Sequence, residues 1–185
     1  MEIIRCFCDI ATDDVAGIQD SFITTQARKG ELLLLKGDVC SRFFIVTSGA
    51  IRFAFQDEEG TLHTRRVLVS GTMGTSLESF ISGNPSSEVI EALEDTTIDS
   101  IERGDFYSLV ESNASWRRVY IRMLEAAYVF QNRQIDKLRT LDAADRFQEM
   151  STDEPEVFRR VSNSVAASYV GIAPETLSRL KSKKN

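Results

Sequence analysis

The spacing of glycines in the first half of the chain constrains the fold more than any other feature. Glycines stand at 30, 37, 49, 60 and 71, and the last three gaps are 12, 11 and 11 residues. Short strands punctuated at such intervals belong to all-β sandwiches and barrels. The stretches between the glycines agree. "FFIVTSG" (43–49) is β-branched and aromatic and ends on a turn, and "AIRFAF" (50–55) alternates, with Ile51, Phe53 and Phe55 on one face. "QDEEG" (56–60) reads as a turn. "TLHTRRVLV" (61–69) alternates again, with Leu62 and Leu68 on one face and Val67 and Val69 on the other. Period-two alternation between turn residues is the signature of strands. "GELLLLKGD" (30–38), an apolar run bounded by glycines, reads as a short buried strand.

The pattern breaks at 71–88, "GTMGTSLESFISGNPSSE", which is rich in Gly, Ser and Thr. "VIEAL" and "TTIDSI" resume the strands up to about 101, and "RGDFYSLVES" reads as a short helix with Asp105 near its start. From 115 to 139 the period becomes helical. Trp116, Tyr120, Met123, Ala127 and Phe130 form one stripe; Leu124, Tyr128, Ile135 and Leu138 form a second. No Gly or Pro lies between Asn113 and Pro155. A helix of about 25 residues runs ~38 Å, and two apolar stripes ask for two contact surfaces. One is the β domain; the length of the helix favours an identical helix of a second chain as the other, so a homodimer is expected.

The 185 residues carry a net charge of −6, unevenly spread. Residues 155–185 hold six Lys/Arg against two acids, while the rest is acidic. A basic block on an acidic body suggests a surface for a polyanion. "VSNSVAASYVGIAPETLSRLKSKKN" (161–185) fits a helix-turn-helix: Gly171 at the turn, Ala167 four residues before it, and Ala166, Val170, Ile172, Leu177 and Leu180 as the apolar contacts. Pro174 suits the first turn of a helix, where its missing N–H is no loss, and Glu175 suits the helix dipole there. The second helix exposes Glu175, Thr176, Ser178, Arg179 and Ser182 around one face. Glu175 and Arg179 are placed to form an intrahelical pair or to read bases, Arg to guanine O6/N7 and Glu to cytosine N4. Lys181, Lys183 and Lys184 are candidates for phosphate contacts, which add affinity without sequence information.

On these residues the chain resembles the Crp/Fnr family of bacterial transcription factors over nearly its whole length. "GELLLLKGDVCSRFFIVTSGAIRFAF" resembles the effector-binding β-roll, the 115–139 helix the dimerisation helix, and "GIAPETLSR" the recognition-helix motif, with Glu175 and Arg179 at base-contacting positions. The resemblance implies an α+β chain. Its N-terminal double-stranded β-helix, a jelly-roll like cyclic-nucleotide-binding domains, takes residues 1–113. A dimerisation helix takes 114–140 and a helix-turn-helix domain 141–185. It also implies double-stranded DNA, a small-molecule effector and RNA polymerase as partners. The position before Glu175 is often a basic third reader in the family; here it is Pro174, which points to an altered operator.

In nucleotide-binding members a Gly-Glu pair opens a phosphate-binding cassette and an arginine closes it. Here Glu78 stands for the glutamate without a glycine before it, and the arginine's place falls near Ser86, with no arginine between Arg66 and Arg103. A buried phosphate diester without a cation lacks its strongest contact, so cyclic AMP is not expected as the effector. Glu78, Ser79, Ser86, Ser87, Gln131 and Asn132 are the candidate lining of a surviving pocket. An iron–sulfur cluster asks for four cysteines, and only Cys6, Cys8 and Cys40 exist. Haem would rest on His63 alone. No cofactor and no metal site are therefore expected, and the cysteines read as free thiols.

An enzyme is disfavoured. One histidine does not make a cupin metal site, and neither a Gly-x-Ser-x-Gly elbow nor a phosphate-binding Gly-Lys motif is present. The other reading is a sensing module of the same fold that has lost DNA binding, since Ala173 is a poor N-cap. No apolar run reaches the ~20 residues of a membrane span, and "MEIIRCFCDIATDD" lacks a basic start before an apolar block, so the sequence predicts a cytoplasmic protein.

Overall fold

The computed structural model describes residues 17–182. Cys6, Cys8, Lys183 and Lys184 lie outside the described residues. Eight strands form two four-stranded antiparallel sheets. They are β1 (Ile23–Ala27), β2 (Leu32–Leu34), β3 (Arg42–Ser48), β4 (Ala50–Gln56), β5 (Leu62–Val69), β6 (Met73–Gly74), β7 (Glu88–Ala92) and β8 (Thr96–Glu102). The sheet orders are β1-β8-β3-β6 and β2-β7-β4-β5. Apart from the β4–β5 hairpin, each strand lies in the other sheet from its sequence neighbour, as the jelly-roll expectation requires. Among the described residues, seven helices follow or interrupt them: α1 (Leu77–Ser82), α2 (Arg103–Ser112), α3 (Ala114–Thr140), α4 (Ala143–Asp153), α5 (Pro155–Arg160), α6 (Asn163–Val170) and α7 (Pro174–Ser182). None is long and apolar enough to cross a membrane.

Strand alternation divides the buried side chains among three clusters. Inside the roll, Phe44, Val46, Ile51, Phe53, Leu68, Ile90 and Ile98 face one another. The other face of β3 presents Phe43 and Ile45 to Phe106 of α2 and to Trp116, Val119 and Met123 of α3. Rings of Phe43, Phe106 and Trp116 meet there at centroid separations of 5.0–6.4 Å. The outer face of β4 and β5 presents Ala50, Val67 and Val69 to the helix-turn-helix residues Ala166, Ala167, Val170 and Leu177. The alternation of 61–69 is therefore used on both sides: Leu68 fills the roll, and Val67 and Val69 support the C-terminal helices.

The β3–β4 turn admits only glycine. Gly49 has φ of 92°, and a Cβ there would lie 2.8 Å from the Asp95 carbonyl oxygen and 2.8 Å from Thr96 Cα. Both are backbone atoms that cannot swing aside. Helix α3 spans 27 residues, close to the expected length. The Asn113 side chain caps it by accepting the Trp116 N–H at 2.8 Å, and Lys137 and Arg139 complement its C-terminal dipole. Gly49→Ala combines left-handed strain with a backbone clash, and a stability loss of about 3 kcal/mol is expected, read from the midpoint of urea unfolding.

Candidate DNA-reading surface and effector cavity

Helices α6 and α7 form the helix-turn-helix. The Ser162 hydroxyl caps α6 by accepting the Val165 N–H at 3.3 Å. Gly171, at φ 75° and ψ 42°, ends α6 in the left-handed conformation, and its N–H points back to Ala167 and Ser168 carbonyls. Ala166, Ala167, Val170 and Leu177 are buried between the helices and β5. This leaves Pro174, Glu175, Ser178 and Arg179 exposed on the outer side of α7, with Thr176 half-buried beside them. Arg179 donates to Thr176 Oγ1 at 3.4 Å and not to Glu175, so the Glu175 carboxylate is free to accept from another molecule. Lys181 donates to Asn163 Oδ1 at 2.6 Å and ties the two helices together.

One arginine sets the turn against the long helix. Arg146 of α4 donates from Nε to the Val170 carbonyl (2.7 Å), from Nη1 to Leu141 (3.0 Å) and from Nη2 to Gly171 (3.4 Å). It thereby joins the end of α3 to the turn between α6 and α7. The unit is also fastened to the β-roll: Ser168 Oγ accepts the Thr64 N–H at 2.7 Å and donates to the Leu62 carbonyl at 3.2 Å. Tyr169 donates its hydroxyl to the Glu154 carboxylate at 2.9 and 3.1 Å. Burial raises the Glu154 carboxyl above its ordinary value of 4.5, and the Tyr169 bond and the Arg66 and Lys137 charges pull it back in part. Burial raises the Tyr169 hydroxyl as well.

Inside the roll lies a cavity of about 40 Å³ bordered by Phe53, Arg65, Arg66, Glu88, Phe130 and Gln131, among others. It holds little more than one water. Its charges come from the protein itself. Glu88, almost wholly buried, accepts from Arg65 Nη1 at 2.8 Å and from the Ser76 hydroxyl at 2.6 Å. Ser86 Oγ lies 3.0 Å from Ser76 Oγ and accepts the Glu88 N–H at 3.0 Å. Arg66 lies opposite Phe53 in the register, so it faces the roll, with its guanidinium 5.5 Å from the Phe130 ring centroid. Burial lowers its pKa from the ordinary value. The register slips between Phe53 and Ala54, whose partners are Arg66 and Thr64. Arg65 is the extra residue of this bulge, and a bulge lets neighbouring side chains share a side.

Among the expected pocket residues, Gln131 borders this cavity and Ser86 belongs to its wall network. Ser79 instead accepts the Cys40 N–H and donates to the Asn84 carbonyl, bracing the loop. Glu78, Ser87 and Asn132 are exposed and border neither the cavity nor one another. Cys40 is a buried free thiol. His63 is exposed and lies 2.8 Å from Asp57, whose carboxyl it holds low. The cations that border the cavity, Arg65 and Arg66, come from β5 and not from the vicinity of Ser86, where the resemblance places the arginine. The signal was a pair of arginines where strict alternation sends one of them into the roll.

Residues 24–113 match the cyclic nucleotide-binding domain family. Three solved structures are similar over most of their length. The c-di-GMP-responsive global regulator CLP of Xanthomonas campestris aligns at 16% identity, 94% of this chain, 91% of that one and a TM-score of 0.74. FixK2 of Bradyrhizobium japonicum aligns at 18%, 88%, 83% and 0.72. The catabolite activator protein of Thermus thermophilus aligns at 20%, 96%, 84% and 0.62. The chain has the Crp/Fnr regulator fold. None of the curated proteins compared by sequence matches it.

The raised Glu154 carboxyl gives a pH test. In the folded state it holds its proton to higher pH than in the unfolded chain, so the protein loses stability as pH rises from about 4.5 through the folded value. Glu154→Gln, which keeps an acceptor for Tyr169, removes that loss. The variant is expected to gain on the parent as pH rises from about 4.5 and to keep a constant advantage above the folded value in paired urea titrations; parallel curves would contradict the burial.

Proposed function

We propose that this protein is a homodimeric, sequence-specific DNA-binding transcription regulator whose β-roll controls the helix-turn-helix. The observation that carries the reading is the outer face of α7. Glu175, Ser178 and Arg179 are exposed and uncommitted to one another, while the opposite face of the helix is fixed by buried Leu177. A Crp/Fnr-like regulator of this kind is not an enzyme. Arg179 reads guanine, Glu175 reads cytosine, and Thr176, Ser178 and Pro174 shape the remaining contact. Lys181, Lys183 and Lys184 bind phosphates.

The dimer is supported by α3. Ile121, Tyr128 and Ile135 recur every seventh residue and are 48%, 72% and 44% exposed. Leu124, Gln131 and Leu138 occupy the alternate position three residues on. Apolar residues at such spacing make a two-stranded seam. Two recognition helices carried by the pair read half-sites about one helical turn apart, ~34 Å.

Control by cyclic AMP, an iron–sulfur cluster or haem is not part of the proposal. The roll cavity of about 40 Å³ is lined by Arg65 and Glu88, which are paired with each other.

Selection from a random duplex pool at two salt concentrations tests the reading. A recovered palindrome whose binding falls steeply with salt is expected; a pool that stays random, with cell metabolites present as well, moves the assignment to a sensing module without DNA binding. Arg179→Ala is expected to relax one position of each half-site by ~1–3 kcal/mol, measured against single-base variants of the recovered site. Tyr128→Asp places a charge in the seam and is expected to yield monomers by ultracentrifugation and to abolish preference for the palindrome.

A further inference from the structure

Strand β5, helix α3 and the helix-turn-helix meet around a second cavity, of about 300 Å³. That is at the lower end of the range used by small-molecule sites. It is distinct from the roll cavity, although Arg65, Phe130 and Gln131 border both. Phe55, Phe130, Ile135, Leu138 and Met150 give it an apolar wall. Its permanently charged lining is cationic: Arg65 and Arg146 border it, with the His63 imidazole beside them, and none of the residues lining it is Asp or Glu. Arg146 is committed to three carbonyls. Arg65 spends only Nη1 on Glu88 and keeps further N–H donors. Thr64 also lines the cavity; it is 6% exposed, and its buried hydroxyl has no hydrogen-bond partner. Native structures seldom leave such a group unpaired, so its partner is to be sought in an occupant.

The geometry points to a binding site here for a small amphipathic carboxylate. The carboxylate meets Arg65 and the Thr64 hydroxyl, and the apolar body lies along Phe130, Ile135, Leu138 and Met150. The lining charge specifies an anion, and the aliphatic and aromatic wall an apolar body. The occupant touches β5, α3 and the helix-turn-helix residues Ser168, Tyr169 and Gly171 at once. A ligand that fits one relative placement of these parts draws the population toward it. This regulatory step rests on the DNA-binding reading above; the binding itself does not.

The test uses the full chain without DNA and three probes of equal length: octanoate, octanol and octylammonium. Octanoate is expected to raise the melting temperature saturably and to give a calorimetric isotherm, with octanol weaker and octylammonium inactive. Thr64→Val keeps the shape and removes the hydroxyl; it is expected to weaken octanoate binding about fivefold to tenfold without lowering the melting temperature of the free protein. Gln134→Trp, which fills the cavity from α3, is expected to abolish binding. The site is overturned by no saturable octanoate binding up to about 10 mM, by equal binding of octylammonium, or by binding indifferent to both variants. Affinity for the selected duplex is then measured with and without octanoate. Octanoate bound with no change in that affinity overturns the regulatory step alone, and octanoate bound by a protein that selects no DNA overturns the DNA reading alone.

Discussion

Strand β5 is buried from three directions, and the arrangement of the molecule depends on that. Its inner face closes the roll with Leu68 and Arg66, and its outer face carries Val67 and Val69 under the C-terminal helices. It is also the last strand of its sheet, so its backbone edge would otherwise present unpaired N–H and C=O groups, a liability for edge strands. Ser168 supplies both a donor and an acceptor to that edge, at Leu62 and Thr64. One hydroxyl on α6 thus stands in for a neighbouring strand. Hydrophobic burial gives the contact its strength; the paired hydrogen bonds give it a single register. A shift of β5 by one residue would turn Val67 and Val69 into the roll and lose both.

The same strand explains why the roll has so little free volume. The bulge at Arg65 breaks alternation, and both arginines come to the cavity. A buried carboxylate is tolerated only when paired and hydrogen-bonded. Glu88 meets that condition through Arg65 and Ser76, and a second pair, Arg52 with Glu91 at 2.6 Å, lies on the adjoining strands. These pairs contribute specificity of packing more than net stability, because desolvating two ions offsets much of their attraction.

Much of this was legible in the sequence. The glycine intervals and the alternation of 43–69 place the strands, because the period of two is imposed by the backbone wherever no bulge interrupts it. The helical stripes of 115–139 and the Gly171 turn are legible for the same reason. The site within the roll was less so. Ser86 and Gln131 reach it, whereas Glu78, Ser87 and Asn132 remain in solvent. The loop 71–88 has no period to say which side chains turn inward, and the two arginines arrive through a bulge, which is a property of strand pairing and leaves no mark in local composition. The Glu175–Arg179 spacing allows an ion pair that the helix does not form, since Thr176 takes the guanidinium.

The distribution of contacts also bears on how a signal could travel. The turn of the helix-turn-helix is held by Arg146 to the end of α3, while α6 is held by Ser168 and the Ala50–Val67–Val69 cluster to the roll. Helix α7 is therefore referred to two bodies, helix α3 and the sheet. Its direction changes only if one of these references moves against the other. Gln131, Ile135 and Leu138 lie on the exposed side of α3 and also line the junction cavity, so the junction is where such a movement must be accommodated. The apolar wall there can repack without leaving hydrogen bonds unmade, whereas the Ser168 edge contact and the Arg146 clamp are directional and resist gradual displacement.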